Sequence, residues 1–430
     1  MTLLSFSPIL VMFALFALRV PIATALLIAT AVYFGVVNTF MPKETMIQNM
    51  VASLESFPYL AIPFFTCAGV VFNYSGITTR LMQLANLLFG HMRGGMAQVN
   101  VALSALMGGL SGSANADAAM QTKMLVPEME RLGYGRAFST VVTAASSCIT
   151  PIIPPGIILI LYALVADVSV AKMFAAGFLP GLLLCVVLMI TVALVSRHRG
   201  YAPARDGRAT LREIGAQVGR SIWALLLPFG IIMGLRLGLF TPTEAGAVAV
   251  VYALFVGAVI YRELKWHHLG AIIEESVVAT AGVMFLICAA NAFAAYMTWE
   301  GIPAAFSTWL VGSVSDPIVL LIVVNLLLLF IGFFFEGGSA IILMTPLLLP
   351  VATQLGIDPV HFGIVMAVNL TIAGFTPPVG TMMFITISIA KVRMEDYVRE
   401  AWPFFLALVV CLLLLSFIPD IALLLPRLFL

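Results

Sequence analysis

Residues 151–156 read Pro-Ile-Ile-Pro-Pro-Gly, and residues 375–380 read Phe-Thr-Pro-Pro-Val-Gly. Proline has no N–H to give and clashes with the carbonyl one turn back, so each stretch interrupts the apolar helix around it. The two interruptions belong to a longer repeat. Pro127, Gly133, Pro154 and Pro155 are each matched 223 residues later, by Pro350, Gly356, Pro377 and Pro378. The same step sets Ser113-Ala114-Asn115 against Glu336-Gly337-Gly338, two further small, polar breaks inside apolar runs. Paired breaks in the two halves of a membrane chain point to the binding site of a secondary transporter. A bilayer tolerates unwound backbone only where protein or a watery cavity satisfies it. Packing kinks are the plain alternative, since Gly and Pro are frequent in membrane helices; four breaks in symmetric register weigh against it.

The composition is that of a membrane chain. Of 430 residues, 62% are hydrophobic and 10% charged, with a mean hydropathy of +1.11. At about 20 residues per crossing there is room for roughly ten or more spans. Apolar stretches predict them near 2–18, 21–40, 50–73, 137–163, 173–195, 222–240, 244–261, 276–298, 361–386 and 402–425. Met1 to Leu18 lacks a basic leading region and reads as a first span, not a cleaved signal. Cys67, Cys148, Cys185, Cys288 and Cys411 lie in apolar stretches without metal-type spacing and read as inert helix residues. The five histidines form no ligand pattern, which argues against a zinc site, a proton relay or an intramembrane hydrolase. No G-x-x-x-x-G-K-[ST] phosphate loop occurs, so the chain is not itself an ATPase. No catalytic residue or organic cofactor is expected.

Two regions, 95–127 and 317–350, do not read as ordinary spans. In the first, the apolar arm after the break, Ala116 to Val126, makes about 16 Å of helix, too short for a core of about 30 Å. It must turn back, as a re-entrant hairpin with its tip at Ser111 to Ala116. The second region reads likewise, with its tip at Glu336 to Ser339. If the N-terminus is outside and both hairpins re-enter, only Lys43, Lys172, Arg236 and Arg427 of the 21 Lys and Arg fall outside. That is a positive-inside bias, and it sends the first hairpin in from the cytoplasm and the second from the periplasm. The expected fold is an all-α polytopic membrane protein of two inverted repeats, 1–195 and 221–430, joined by a basic cytoplasmic linker, 196–220. Each repeat holds one hairpin and one Pro-broken transmembrane helix, near 137–163 and 361–386. Segments 76–93 and 299–315 are either amphipathic arms joining a scaffold to a moving unit or ordinary loop helices.

The breaks offer oxygen. Freed carbonyls at the first tip, with the Ser111, Ser113 and Asn115 side chains, suit a hard monovalent cation such as sodium. Across from them, Thr150 precedes the Pro154-Pro155-Gly156 break, where upstream carbonyls are unpaired. The second half repeats the device with Gly337, Gly338 and Ser339 facing Asn369, Thr371, Gly374 and Thr376. Asp117 and Glu336 are the ionisable residues nearest the tips, and an intramembrane carboxylate is a functional candidate. For Asp117, tuning an ion site is preferred over capping the return arm; a pairing with Lys123 is the third option. Thr241-Pro242-Thr243-Glu244 reads as a capping box. Arg236 reads as a headgroup anchor in preference to an anion contact.

At these residues the chain resembles the large membrane subunit of tripartite ATP-independent periplasmic (TRAP) transporters. The matching stretches are SGSANADAAM at 111–120, IIPPGIILILYALVADVSVAKMFAAGFLPGLLL at 152–184, TPTEAGAVAVVYAL at 241–254 and DPVHFGIVMAVNLTIAGFTPPVG at 358–380. The resemblance implies a sodium-driven, elevator-type importer of small organic anions, dicarboxylates or sugar acids, in the bacterial inner membrane. It implies two partners: a small four-helix membrane subunit and a soluble periplasmic substrate-binding protein. One sodium site would draw on Gly112, Ser113, Asn115 and Thr150, the other on Glu336, Gly337, Ser339, Gly374 and Thr376. The anion is expected between the tips, near Ser111, Asp117, Ser146, Pro154, Pro155, Asn369, Pro377 and Pro378. The family often has glycine where Thr150 stands and serine where Gly156 stands, which moves a hydroxyl across the first break. The moving unit would work against a scaffold from the spans near 21–73 and 244–298. A stand-alone divalent-anion/sodium symporter would share hairpins and repeats but need no binding protein.

Overall fold

The computed structural model describes residues 6–18, 20–38, 42, 44–55, 57–313, 316–333, 335–377 and 380–429. Lys43, counted outside by charge, and Pro378, expected near the anion, lie outside them. Twenty α-helices run through the described residues, with no strand among these. The N-terminal half holds α1 (Ser7–Ala17), α2 (Ile22–Val32), α3 (Glu44–Glu55), α4 (Ala61–Tyr74), α5 (Ile77–Phe89), α6 (Gly95–Ser111), α7 (Ala114–Arg131), α8 (Arg136–Ser146), α9 (Ile157–Val165) and α10 (Val170–Arg199). The remainder holds α11 (Leu211–Arg236), α12 (Pro242–Phe255), α13 (His268–Trp299), α14 (Ile302–Ser313), α15 (Pro317–Gly332), α16 (Gly337–Gln354), α17 (Pro359–Phe375), α18 (Thr381–Ala390), α19 (Met394–Phe417) and α20 (Asp420–Phe429).

Seven stretches among the described residues are long and apolar enough to cross a bilayer: Phe57–Tyr74, α10, α11, Pro242–Ile260, α13, α16 and α19. Their outer faces remain hydrophobic. Along α10, Leu182, Val186, Ile190 and Leu194 point outward while Leu184, Leu188 and Val192 are buried. Lipid tails are as apolar as leucine, so such a surface carries no penalty in hydrocarbon.

Local chemistry fixes the helix ends. Asp316 and Asp358 cap α15 and α17, each followed by proline at the first helical position, where its missing N–H and fixed φ suit helix entry. Thr241 caps α12 as expected, with the Glu244 carboxylate accepting from the Thr241 N–H at 2.7 Å. Thr241→Ala should therefore lower the thermal unfolding midpoint of the purified protein by a few degrees and leave transport affinity unchanged.

The hairpin arms differ from the sequence reading at their ends. The return arm α7 does not stop at Val126 but runs 18 residues, through Pro127 to Arg131, about 27 Å at 1.5 Å per residue. Its last turn is polar, so an apolar count ends too soon, and an interior proline costs a helix one hydrogen bond without ending it here. Helix α7 is thus long enough to approach the span of a bilayer core, and the length argument for re-entry does not stand. In the second region α15 ends at Gly332 and α16 already begins at Gly337, which puts Gly337, Gly338 and Ser339 in its first turn. Between the two halves, α10 extends to Arg199 and α11 starts at Leu211 behind a Thr210–Glu213 capping box. Only 200–210 of the basic linker is non-helical.

Packing recurs in pairs. Helix α7 lies against α18 and α16 against α9; α8 lies against α19 and α17 against α10. The return arms α7 and α16 are both 18 residues long. The Cys148 thiol donates to the Thr371 carbonyl at 3.6 Å, and these two residues are 223 positions apart, the step of the sequence repeat.

Candidate functional site

The first hairpin turns at Gly112 and Ser113. Gly112 has φ +58°, and a Cβ built there would sit 2.6 Å from the Pro155 carbonyl oxygen. Only glycine combines that backbone with that approach. Its carbonyl accepts from the Ile157 N–H at 3.2 Å, so the tip is docked on the Pro154-Pro155 break. Ser113 caps α7, its Oγ accepting from the Ala116 N–H at 3.4 Å. At the other break, the Asn115 side-chain oxygen accepts from the Thr381 hydroxyl at 3.2 Å, which ties the first tip to the start of α18.

Both tips and both breaks open onto one cavity of about 220 Å³. Ser111 to Ala116 line it from the first tip, and Glu336, Gly337 and Gly338 from the second. Pro151 and Ile157 come from the first broken helix, and Thr371, Gly374 and Thr381 from the second. Helices α4 and α13 close it with Thr66, Gly69 and Asn73 and with Ala279 and Val283. The starts of α7, α9, α16 and α18 all reach the lining. A helix start presents unpaired N–H groups and roughly half a positive charge, so four of them favour an anion. The ends of α6 and α17 bring carbonyls to the same place, the polarity a cation needs. No Lys, Arg or His is among the described lining residues, and Glu336 is their one carboxylate.

Several sequence candidates are held behind the cavity wall. Asp117 is 1% exposed. It accepts from the Ser104 hydroxyl at 2.9 Å, the Gln121 amide at 2.7 Å and the Thr150 hydroxyl at 2.9 Å. The cap of α7 is Ser113, not Asp117, and Lys123 lies exposed along the helix. The Thr150 hydroxyl is spent on Asp117, which ties the broken helix to the hairpin. Ser146 donates to the Asn100 side-chain oxygen at 2.7 Å, and Asn369 donates to the Asn325 carbonyl at 2.9 Å. Both are struts from a broken helix to a hairpin's first arm. The Thr376 hydroxyl returns to the Ile372 carbonyl at 2.6 Å. Ser339 is buried in the first turn of α16. The Pro154 carbonyl faces Gly109, and Pro377 sits in the turn after α17. The sequence reading missed Thr66, Asn73 and Thr381. Polar residues at 66 and 73, on one face of an apolar helix, were the available signal for the first two.

Paired breaks, converging helix starts and an apolar exterior define a membrane transporter. The model for the "Tripartite ATP-independent periplasmic transporter, DctM component" matches residues 9–421. The chain is 37% identical over 408 residues to the 2,3-diketo-L-gulonate TRAP transporter large permease protein YiaN of Escherichia coli (strain K12), covering 95% of each. It is 36% identical over 373 residues to the C4-dicarboxylate TRAP transporter large permease protein DctM of Pseudomonas aeruginosa, covering 87% of each. Among solved structures, the Alcanivorax borkumensis YdaH transporter superposes with a TM-score of 0.64 at 16% identity, over 95% of this chain and 98% of that one. The chain belongs to the TRAP transporter large permease family. It is a multi-pass inner-membrane transport protein and not an enzyme.

Proposed function

We propose that the chain imports a small organic anion, of the dicarboxylate or sugar-acid class, by sodium-coupled elevator movement. The observation that carries this reading is the convergence of both tips and both breaks, with four helix starts, on one cavity. Helix starts attract the carboxylate; carbonyls at the ends of α6 and α17, with the side chains of Ser113, Asn115 and Glu336, offer sodium its oxygens. Sodium adds the positive charge that the lining side chains lack, so cation and anion stabilise each other in the cavity. The paired packing and the Cys148–Thr371 contact support inverted repeats about a two-fold axis passing between those residues. Inversion lets one set of contacts serve both orientations of a moving unit. Sodium drives it with the membrane potential, about 2.3 kcal/mol per charge at 100 mV. Relatives that carry 2,3-diketo-L-gulonate and C4-dicarboxylates support the substrate class. Family membership supports two partners, a small four-helix membrane subunit and a periplasmic binding protein.

Uptake of a labelled organic-acid panel into proteoliposomes, holding this chain with its small subunit, tests the reading. Uptake should require both an inward sodium gradient and the cognate binding protein. Sodium-driven uptake without the binding protein would instead make this a stand-alone symporter.

A further inference from the structure

Threonine and serine hydroxyls inside helices ordinarily return to the carbonyl one turn back. In this chain Thr122, Thr143, Thr345, Thr371 and Thr386 all do so. Thr66 and Ser111 do not. Each residue is 8% exposed, each lines the cavity, and neither hydroxyl has a hydrogen-bond partner among the described residues. A buried hydroxyl left unpaired is a net cost to the fold, so two at one cavity call for an explanation.

They reach the cavity from different helices. Thr66 belongs to α4 and Ser111 to the end of α6. Gly69, one turn along α4 from Thr66, lies against the tip: a Cβ built there would be 3.2 Å from the Ser111 carbonyl oxygen. Thr66, Gly69, Val70 and Asn73 all line the cavity, the i, i+3, i+4, i+7 spacing of one helix face. Helix α4 thus presents two polar side chains, Thr66 and Asn73, on the face that lines the cavity.

We infer that Thr66 and Ser111, on neighbouring helices that line one cavity, form a subsite for a neutral oxygen of the substrate, a hydroxyl or keto group set apart from the carboxylate. Turning either side chain to the cavity about χ1 breaks no hydrogen bond. Both hydroxyls donate and accept, so they take either kind of oxygen. The carboxylate goes to the helix starts, which no hydroxyl can replace as a source of charge. A substrate lacking the extra oxygen leaves both hydroxyls unpaired, and a site built to bond an oxygen discriminates strongly against its absence. This makes α4 a selector for oxygenated acids, and it rests on the organic-anion function proposed above.

The test is binding by isothermal titration to the purified complex of this chain and its small subunit, in sodium, without the periplasmic protein. The probes are matched acids: L-malate with succinate, glycolate with acetate, D-gluconate with hexanoate. Wild type should favour the oxygenated member of a pair it binds, by about tenfold or more. Thr66→Val and Ser111→Ala should each erase most of that preference by weakening the oxygenated acid alone, and Thr66→Ser should retain it. Equal weakening of both members, or a preference that survives both substitutions, overturns the subsite and leaves the proposed function standing. A wild-type complex that binds no acid in the set, while binding-protein-dependent uptake of organic acids proceeds, overturns this inference and leaves the proposed function standing.

Discussion

Asp117→Ala is expected to destabilise the protein by about 3 kcal/mol or more and to reduce transport at least tenfold. The carboxylate is the common acceptor for Ser104 on α6, Gln121 on α7 and Thr150 on the first broken helix. Alanine leaves these donors facing each other in a buried site. Hydrogen bonds to a charged group contribute about 1.5–3 kcal/mol each, and orphaned donors add their own desolvation cost. Part of the loss is recovered by repacking, since the Thr150 hydroxyl also lies 3.3 Å from the Ser104 carbonyl. Asp117→Asn keeps one acceptor and should fall between the two. If Asp117 served only as a helix-start charge, alanine would cost about 0.3–1 kcal/mol and transport would survive. Thermal unfolding and uptake measured on the same preparations decide between these outcomes.

The second large effect is expected at the tip itself. Gly112→Val should abolish uptake at every sodium concentration while the chain still inserts and assembles with its small subunit. A β-branched residue at φ +58° is strained by about 1–2 kcal/mol, and its Cβ would lie 2.6 Å from the Pro155 oxygen. The tip must lift off the break, which separates the oxygens that would share a cation. Gly133 supplies the control. It has φ +82° with open space around it, so Gly133→Ala meets the backbone penalty without the collision. That variant should lose about 1 kcal/mol of stability and keep its transport. Purification yield, unfolding midpoint and uptake distinguish a collapsed fold from a displaced tip.

Much of the arrangement was legible in the chain because proline and glycine act locally. A proline pair at Pro154-Pro155 and a glycine-rich turn at Gly112–Ser113 each interrupt the helix at their own position, so these breaks and their repeat could be placed without a structure. The capping box at Thr241 is equally local. Helix ends were less legible: α7 continues through Pro127 into a polar turn, and hydropathy loses the helix where the side chains become hydrophilic. The use of each polar side chain was the least legible. Thr150, Ser146 and Asn369 stand beside the breaks in sequence, yet their side chains face a neighbouring helix. The direction of a side chain depends on helix rotation and on what packs against it, and spacing along one segment does not specify that. Thr66 was missed for the converse reason: it lies far in sequence from either break and reaches the cavity through tertiary packing.

If the two tips and the two breaks form one sodium-coupled substrate site, sodium and substrate should protect both hairpins together. Single cysteines placed at Ser113 and at Gly338, in a chain freed of its native cysteines, report on this. Both positions line the cavity from opposite hairpins. In proteoliposomes containing the small subunit, the rate of maleimide labelling would be followed with and without sodium and with the transported acid. Sodium and substrate together should slow labelling at both positions, and potassium should not replace sodium. Protection at one tip alone, or at neither, would contradict a shared site.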